Sequence, residues 1–242
     1  MLSLFFVNKL SGGDKQTLDG DEGHHAIKVL RLSIGEQIKI SDGLGNWVAG
    51  PILEISKKSL EIKVIQQGQF KAEKPELIVV QAITKSDRNK EMLELVTVAG
   101  VDQIIPWQAD RSISKWQSDS DKKWQNVIKE AGKQSRRIKL PQLQPPMTSK
   151  QVAQQITKGS FALVFHEESA LKFAEINLSS DLSAIYLIIG PEGGISDEEL
   201  AIFKEAGALV VKLGEHVLRC AHAGFAALAA VQSRLGLSLI HI

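Results

Sequence analysis

Residues Ala184–Ile189 read Ala-Ile-Tyr-Leu-Ile-Ile and run directly into Gly190-Pro191-Glu192-Gly193-Gly194. An apolar run of this length suits a strand buried on both faces. Ser196 follows, with Glu199 three residues later, which is the capping-box signature of a helix start. Strand, glycine turn and helix in succession imply an α/β fold with a mostly parallel sheet. In open α/β sheets such a turn lies at the carboxyl end of a strand, where ligands bind. Glycine there lets a ligand approach the backbone closely. Taken alone, the segment fits an ordinary β-to-α turn equally well.

The same alternation recurs from residue 75 onward. Leu77–Ile83 reads as a buried strand. Met92, Leu95, Val96 and Ala99 line one face of a helix that Gly100 stops. Gln103–Pro106 is a short strand, and Asp121–Arg137 a helix with Trp124, Val127, Ile128 and Ala131 on one face. Phe161–Phe165 and Leu209–Leu213 read as strands, and Cys220–Leu235 as a long Ala-rich helix. Residues 1–70 differ. Met1–Val7, Glu36–Ser41, Trp47–Ile55 and Leu60–Val64 read as short strands, Gly50-Pro51 bends the third, and a short helix fits Asp21–Leu30. This is the pattern of a small β-barrel. The polar stretch Gly68–Pro75 reads as the linker, giving expected domains of 1–70 and 75–242.

Composition narrows the class. The chain has 242 residues, 43% hydrophobic and 24% charged, as a globular protein does. No apolar run approaches the ~20 residues that span a bilayer, so no membrane partner is expected. The apolar N-terminus lacks a basic flank and a cleavage site, so it reads as a strand and not a signal peptide. The single cysteine, Cys220, leaves no intramolecular disulfide. A cytoplasmic location is expected, and no metal site is assigned. Net charge is +1, but residues 71–150 hold 15 Lys and Arg against 10 Asp and Glu. Such a surface can track phosphates; it equally fits a solvated helical face.

The glycine loop is not built for phosphate. It has neither the P-loop pattern nor the Gly-x-Gly-x-x-Gly of dinucleotide folds. Asp197, Glu198 and Glu199 open the next helix and disfavour an anion. A neutral or cationic ligand suits it better.

A second segment, Leu213-Gly214-Glu215-His216-Val217-Leu218-Arg219, follows the last strand. Together with Ile189–Gly194 it resembles the SPOUT superfamily of trefoil-knotted methyltransferases. More specifically, the chain resembles the ribosomal small subunit methyltransferase E family. The resemblance extends to His24-His25 with Val29-Leu30-Arg31, Gly35-Glu36, Asp42-Gly43, and Gln81-Ala82 with Lys85 and Asp87. It continues through Gly100-Val101, Ile104, Pro106, Arg111-Ser112, and Glu130-Ala131 with Gln134-Ser135 and Arg136 or Arg137.

The resemblance implies an N-terminal PUA-like β-barrel that binds RNA and a knotted parallel sheet with helices on both faces. It also implies a homodimer, S-adenosylmethionine as cofactor, and methylation of N3 of a uridine in 16S ribosomal RNA of the small subunit. It places the cofactor against His166, Glu167, Ile189, Gly190, Pro191, Glu192, Gly193, Gly194, Leu213, Gly214, Val217 and Leu218. A flipped uridine losing its N3 proton builds negative charge on its oxygens, which calls for a cation. Arg219, directly after the cofactor loop, is the first candidate, with Lys85 and Arg136 beside it. His24, His25, Arg31, Arg88 and Arg111 are candidate RNA contacts.

Where the family usually continues Thr-Glu-Thr-Ala after Leu218-Arg219, this chain reads Cys220-Ala221-His222-Ala223. Its Thr-Glu-x-Gly is Thr97-Val98-Ala99-Gly100 here. Two other readings therefore stay open: a related knotted methyltransferase acting on another RNA base, and a non-catalytic rRNA-binding or ribosome-assembly factor.

Overall fold

The computed structural model describes residues 2–71, 73–179 and 181–237. Met1, which heads the expected first strand, and residues 238–242 of the expected second domain lie outside them. The chain forms two compact units, Met1–Lys71 with Lys129–Leu140, and Ala72–Ile128 with Pro141–Ile242.

The first unit is built on six strands: β1 (Ser3–Phe6), β2 (Lys15–Leu18), β3 (Gln37–Ser41), β4 (Asn46–Ile55), β5 (Leu60–Lys63) and β6 (Gln66–Gln69). Their order is β1-β3-β4-β5-β2, with β6 also on β4. The long β4 pairs β3 through Trp47–Pro51, then β5 through Ile52–Ile55 with a register shift. Gly50 marks that change of partner. A Cβ there would stand 1.7 Å from the Lys63 carbonyl oxygen, so only glycine fits. Phe5, Leu18, Ile38, Ile40, Ile52, Leu60 and Ile62 form the core. The Asp21–Leu30 segment is helical, as α1 (Gly20–His24) followed by one π-helical turn at His25–Val29.

Two boundaries differ from the sequence reading, the first being that β6 pairs with β4 through Gly68 and Gln69, inside the stretch expected as linker. Helix α3 (Ser120–Ser135) passes into the first unit at Lys129, although 75–242 was expected as a continuous domain. The cause is a set of long-range polar contacts. Glu22 is buried and pairs with Lys129 at 2.9 Å and Lys133 at 3.2 Å. The Ser41 hydroxyl donates to the Ile138 carbonyl, and the Leu140 N–H to that of Gly43.

The second unit carries a parallel sheet of β7 (Glu76–Ala82), β8 (Gln103–Trp107), β9 (Gln142–Leu143), β10 (Ser160–Phe165), β11 (Ala184–Ile189) and β12 (Leu209–Val211). Their order is β12-β10-β11-β7-β8-β9, and every neighbouring pair is parallel. The even residues of β7, Ile78, Val80 and Ala82, pack with α4 (Ser149–Gln155) and α5 (Asp197–Glu205) through Val152 and Phe203. The odd residues Val79 and Gln81 face Gly224 of α6 (Cys220–Leu235), beside Val96 of α2 (Ser86–Val98). Alternate side chains of a strand point to opposite faces, so helices cover both faces of the sheet.

Candidate active site

Strands β10, β11 and β12 lie side by side and end together at Phe165, Ile189 and Val211. The loops that leave them enclose two adjoining cavities. One, of about 310 Å³, is lined by His166, Glu167, Ile189, Gly190, Pro191, Glu192, Gly194, Val217, Leu218 and Arg219, with Cys220 and Ala223 behind. The other, of about 420 Å³, shares His166, Glu167, Val217 and Leu218 and adds Lys212, Leu213 and Gly214. Both volumes suit a small-molecule site, for which about 300–1,000 Å³ is usual. The sheet order thus gathers three loops distant in sequence.

The glycine loop is held from behind. Ser196 caps α5 and Glu199 returns the contact, the capping box expected from sequence. The Glu199 carboxylate is almost fully buried and accepts from the Ser149 hydroxyl at 2.6 Å and the Asp110 N–H at 3.0 Å. The Ser196 hydroxyl donates to Asp110 at 3.1 Å, and the Trp107 indole N–H donates to Ser149 at 3.0 Å. Satisfied buried networks of this kind rigidify what they support. At Gly190 a Cβ would fall 2.7 Å from the Ile195 side chain, and Gly194 has φ of +75°. Gly193 packs against Arg111, whose guanidinium donates to its carbonyl at 3.3 Å.

The loop is also held from α2. The Arg88 guanidinium pairs with Glu192. Burial works to raise the Glu192 carboxyl, but its own N–H, Arg88 and the Cys220 thiol together hold it below the ordinary carboxylate range. Burial and the neighbouring Glu192 carboxylate push the Cys220 thiol up to about 11, so it is a neutral hydrogen-bond donor at physiological pH. His222, one helical turn into α6, meets Glu91 of α2 at 2.9 Å.

Glu167, Glu192 and Glu215 all line these cavities, and Lys212 is tied to Glu215 at 2.9 Å. Glu192 is paired with Arg88 and Glu215 with Lys212, so Glu167 is the lining carboxylate left to face a cationic group, beside backbone and apolar surface. Arg219 is exposed at the N-cap of α6, and among the described residues its side chain has no ion-pair partner.

The other candidates are spread more widely. Lys85, at the N-cap of α2, lines a separate cavity of about 730 Å³. Arg88 is engaged with Glu192, and Arg111 with the glycine loop. His24, His25, Arg31 and Arg136 belong to the first unit. His24 and Arg31 are exposed there, the His25 ring meets Phe5 edge-on, and Arg31 and Arg136 have φ of +55° and +56°. Sequence reasoning did not single out Ile195 or Ala223 as lining residues, nor the Arg88–Glu192 pair. Gly193 stands behind the lining. Among the described residues no His, Cys, Asp and Glu cluster could hold a metal, and no helix is long and apolar enough to cross a membrane.

Known proteins are similar to this chain in sequence and fold. The RNA methyltransferase domain family matches residues 72–232, and the RNA methyltransferase PUA domain family matches residues 18–65. A ribosomal RNA small subunit methyltransferase E of Mycobacterium bovis is 36% identical over 94% of this chain and 90% of its own. Its counterpart from Bacillus subtilis is 28% identical over 89% and 88%. The crystal structure of the Neisseria gonorrhoeae methyltransferase E, bound to S-adenosyl methionine, superposes with a TM-score of 0.86 at 26% identity. That match covers 96% of this chain and 98% of the other. With the matched domain spanning all three loops of the cleft, the chain belongs to the ribosomal RNA small subunit methyltransferase E family.

Proposed function

We propose that this protein methylates N3 of a uridine in 16S ribosomal RNA, with S-adenosylmethionine bound in the cleft at the ends of β10, β11 and β12. The observation that carries the reading is the convergence around one cleft of Glu167, the Gly190–Gly194 loop, Val217-Leu218 and an Arg219 with no ion-pair partner among the described residues. When bound, the cofactor supplies an electrophilic methyl group on a sulfonium. His166, Glu167, Ile189–Gly194, Leu213, Gly214, Val217 and Leu218 would hold it, and the Glu167 carboxylate suits its charge. The Arg219 guanidinium takes up the negative charge that builds on the uracil oxygens as the N3 proton passes to solvent water. Holding the uridine still against the cofactor loops would supply much of the remaining rate. Lys85, Arg136, His24, His25, Arg31 and Arg111 serve the RNA, and Arg88 acts on the cofactor loop through Glu192.

The reading extends to the fold and assembly. The strand order β12-β10-β11 supports a trefoil knot through the Leu213–Arg219 segment, and the first unit's six strands support a PUA-like barrel. Val217 is 75% exposed and Leu218 43%, which supports a homodimer covering the mouth of the cleft. The enzyme works in the cytoplasm on the small ribosomal subunit.

The Cys220–Ala223 departure from the family motif favours one alternative, a binding factor without catalysis. Labelled methyl transfer to small-subunit RNA from a strain lacking the modification separates the two. Incorporation at one uridine is expected. Cofactor binding without transfer to any ribosomal substrate would refute the enzyme and leave the binding factor.

A further inference from the structure

The second unit carries a further cavity, of about 730 Å³, apart from the cofactor cleft. It lies between the first turn of α2 and the Ser114–Lys123 segment, and shares no lining residue with the cleft. We propose that this cavity binds a nucleotide of single-stranded RNA next to the target, with its base on Trp116 and its phosphates on Lys85 and Lys115. The inference rests on the RNA-methyltransferase reading above.

Ile83, Leu93, Trp124 and Val127 supply an apolar floor, and Lys85, Lys90, Lys115 and Lys123 stand around it. Two of these lysines are engaged, Lys123 with Asp119 at 2.7 Å and Lys90 with Glu94 at 3.8 Å. Lys85 and Lys115 are exposed and have no ion-pair partner among the described residues. Asp87 is the other acid on the wall. The balance is cationic, and its free charges flank an aromatic ring.

Trp116 is half-buried and held in place. Its ring meets that of Trp124 edge-to-face at 5.0 Å and 67°, which leaves a ring face for a third partner. The Trp116 backbone N–H donates to the Gln108 side-chain carbonyl at 3.2 Å, and the Gln108 amide donates in turn to the Ser114 carbonyl at 3.1 Å. The opposite wall is equally fixed. Asn89 accepts from the Thr84 N–H and hydroxyl and donates back to the Thr84 carbonyl at 2.8 Å. Both walls are therefore preorganised.

Aromatic rings interleaved with cations are how proteins hold single-stranded nucleic acid. A phosphate site alone needs no apolar floor or aromatic ring, and an apolar ligand needs no lysines. The placement also has a use. Lys85 and Arg88 flank the same first turn of α2, one on this cavity and the other on Glu192 of the cleft. A uridine pulled from its stack costs a few kcal/mol. Holding its neighbour on Trp116 offsets part of that cost beside the cleft.

The test is binding of a fluorescein-labelled single-stranded decauridylate, read by anisotropy at several salt concentrations. Inorganic triphosphate is the phosphate-only probe, and calorimetry with S-adenosylmethionine is run on every variant. Trp116→Ala is expected to weaken decauridylate about 5- to 150-fold, as a lost base stack does. Trp116→Phe, which keeps a ring, should stay within about threefold. Lys115→Ala should flatten the dependence of log affinity on log salt by about 0.7. Cofactor affinity should be unchanged in all three. Equal decauridylate affinity in Trp116→Ala and wild type would overturn the proposal. So would triphosphate competing fully while the Trp116 variants behave alike, which would make this an anion site only. If Trp116→Ala does not fold, the Trp116→Phe and Lys115→Ala results decide. No methyl transfer is measured, so failure of the enzymatic reading leaves this result standing, and the reverse.

Discussion

The Arg88 guanidinium donates to the Glu192 carboxylate and so ties the first turn of α2 to the glycine loop of the cleft. The residues are 104 apart in sequence. The Cys220 thiol stands beside the same carboxylate, so α2, the loop and α6 meet at Glu192. Arg88→Ala should therefore loosen the loop without emptying the cleft. S-adenosylmethionine affinity should fall about two- to fivefold at low salt, since a partly exposed ion pair contributes modestly, and less at high salt. Titration calorimetry at two ionic strengths checks this. The sign with pH is fixed by Glu192. Its folded pKa is lowered, so its stabilisation is present above the ordinary 4.5 and is lost as pH falls through the folded value. The difference between Arg88→Ala and wild type should close over that acidic range and persist at neutrality.

Cys220 is 6% exposed, with a pKa pushed up to about 11 from 9.0. Thiol reagents attack the thiolate. Two pH units imply native labelling at pH 8 on the order of 100-fold slower than in urea, and burial slows it further. A stopped-flow assay with a disulfide reagent measures both rates. Because the folded pKa is raised, the thiol's contribution to stability is full below about 9. It is lost as pH rises through about 11.

Gly50 has no room for a methyl group, because the atom it would meet is the Lys63 carbonyl oxygen at 1.7 Å. Backbone cannot step aside as a side chain does. Gly50→Ala should cost about 1–3 kcal/mol or more. The loss should appear in denaturant unfolding of the first unit, with cofactor binding by the second unit retained.

Glu22 is buried between Lys129 and Lys133. Glu22→Ala takes the carboxylate from Lys129, while Lys133 keeps Glu130 at 2.7 Å. Breaking a buried pair from one side costs about 3–5 kcal/mol. The lower end is expected, since Lys129 keeps contact with water. Glu22→Gln, which keeps an acceptor, should lose less in the same thermal melts.

Legibility followed the range of the interaction. The buried strand at Ala184–Ile189, its glycine turn and the Ser196–Glu199 capping box are local patterns, and each stands in the structure where the residues place it. The cofactor loops were legible through a resemblance carried by their residues; composition and periodicity alone left an ordinary turn open. Helix α4 and strand β9 went unread, because Gln142–Gln155 is rich in Pro and Gln with little apolar periodicity. The passage of Lys129–Leu140 into the first unit was hidden for another reason. It depends on Glu22 and Ser41, 97 or more residues away, and a continuous helical pattern carries no mark of it. The Lys85–Trp116 cavity was invisible likewise, since it forms only once β7 and β8 lie side by side.

The nucleosides of the ribosomal RNA itself carry the most direct test. 16S RNA from a strain lacking this gene, digested and read by mass spectrometry, should have lost one N3-methyluridine. The wild-type gene should restore it, and Arg219→Ala should not, although the variant still binds S-adenosylmethionine. An unchanged N3-methyluridine content in the deletion strain, or full restoration by Arg219→Ala, would contradict it.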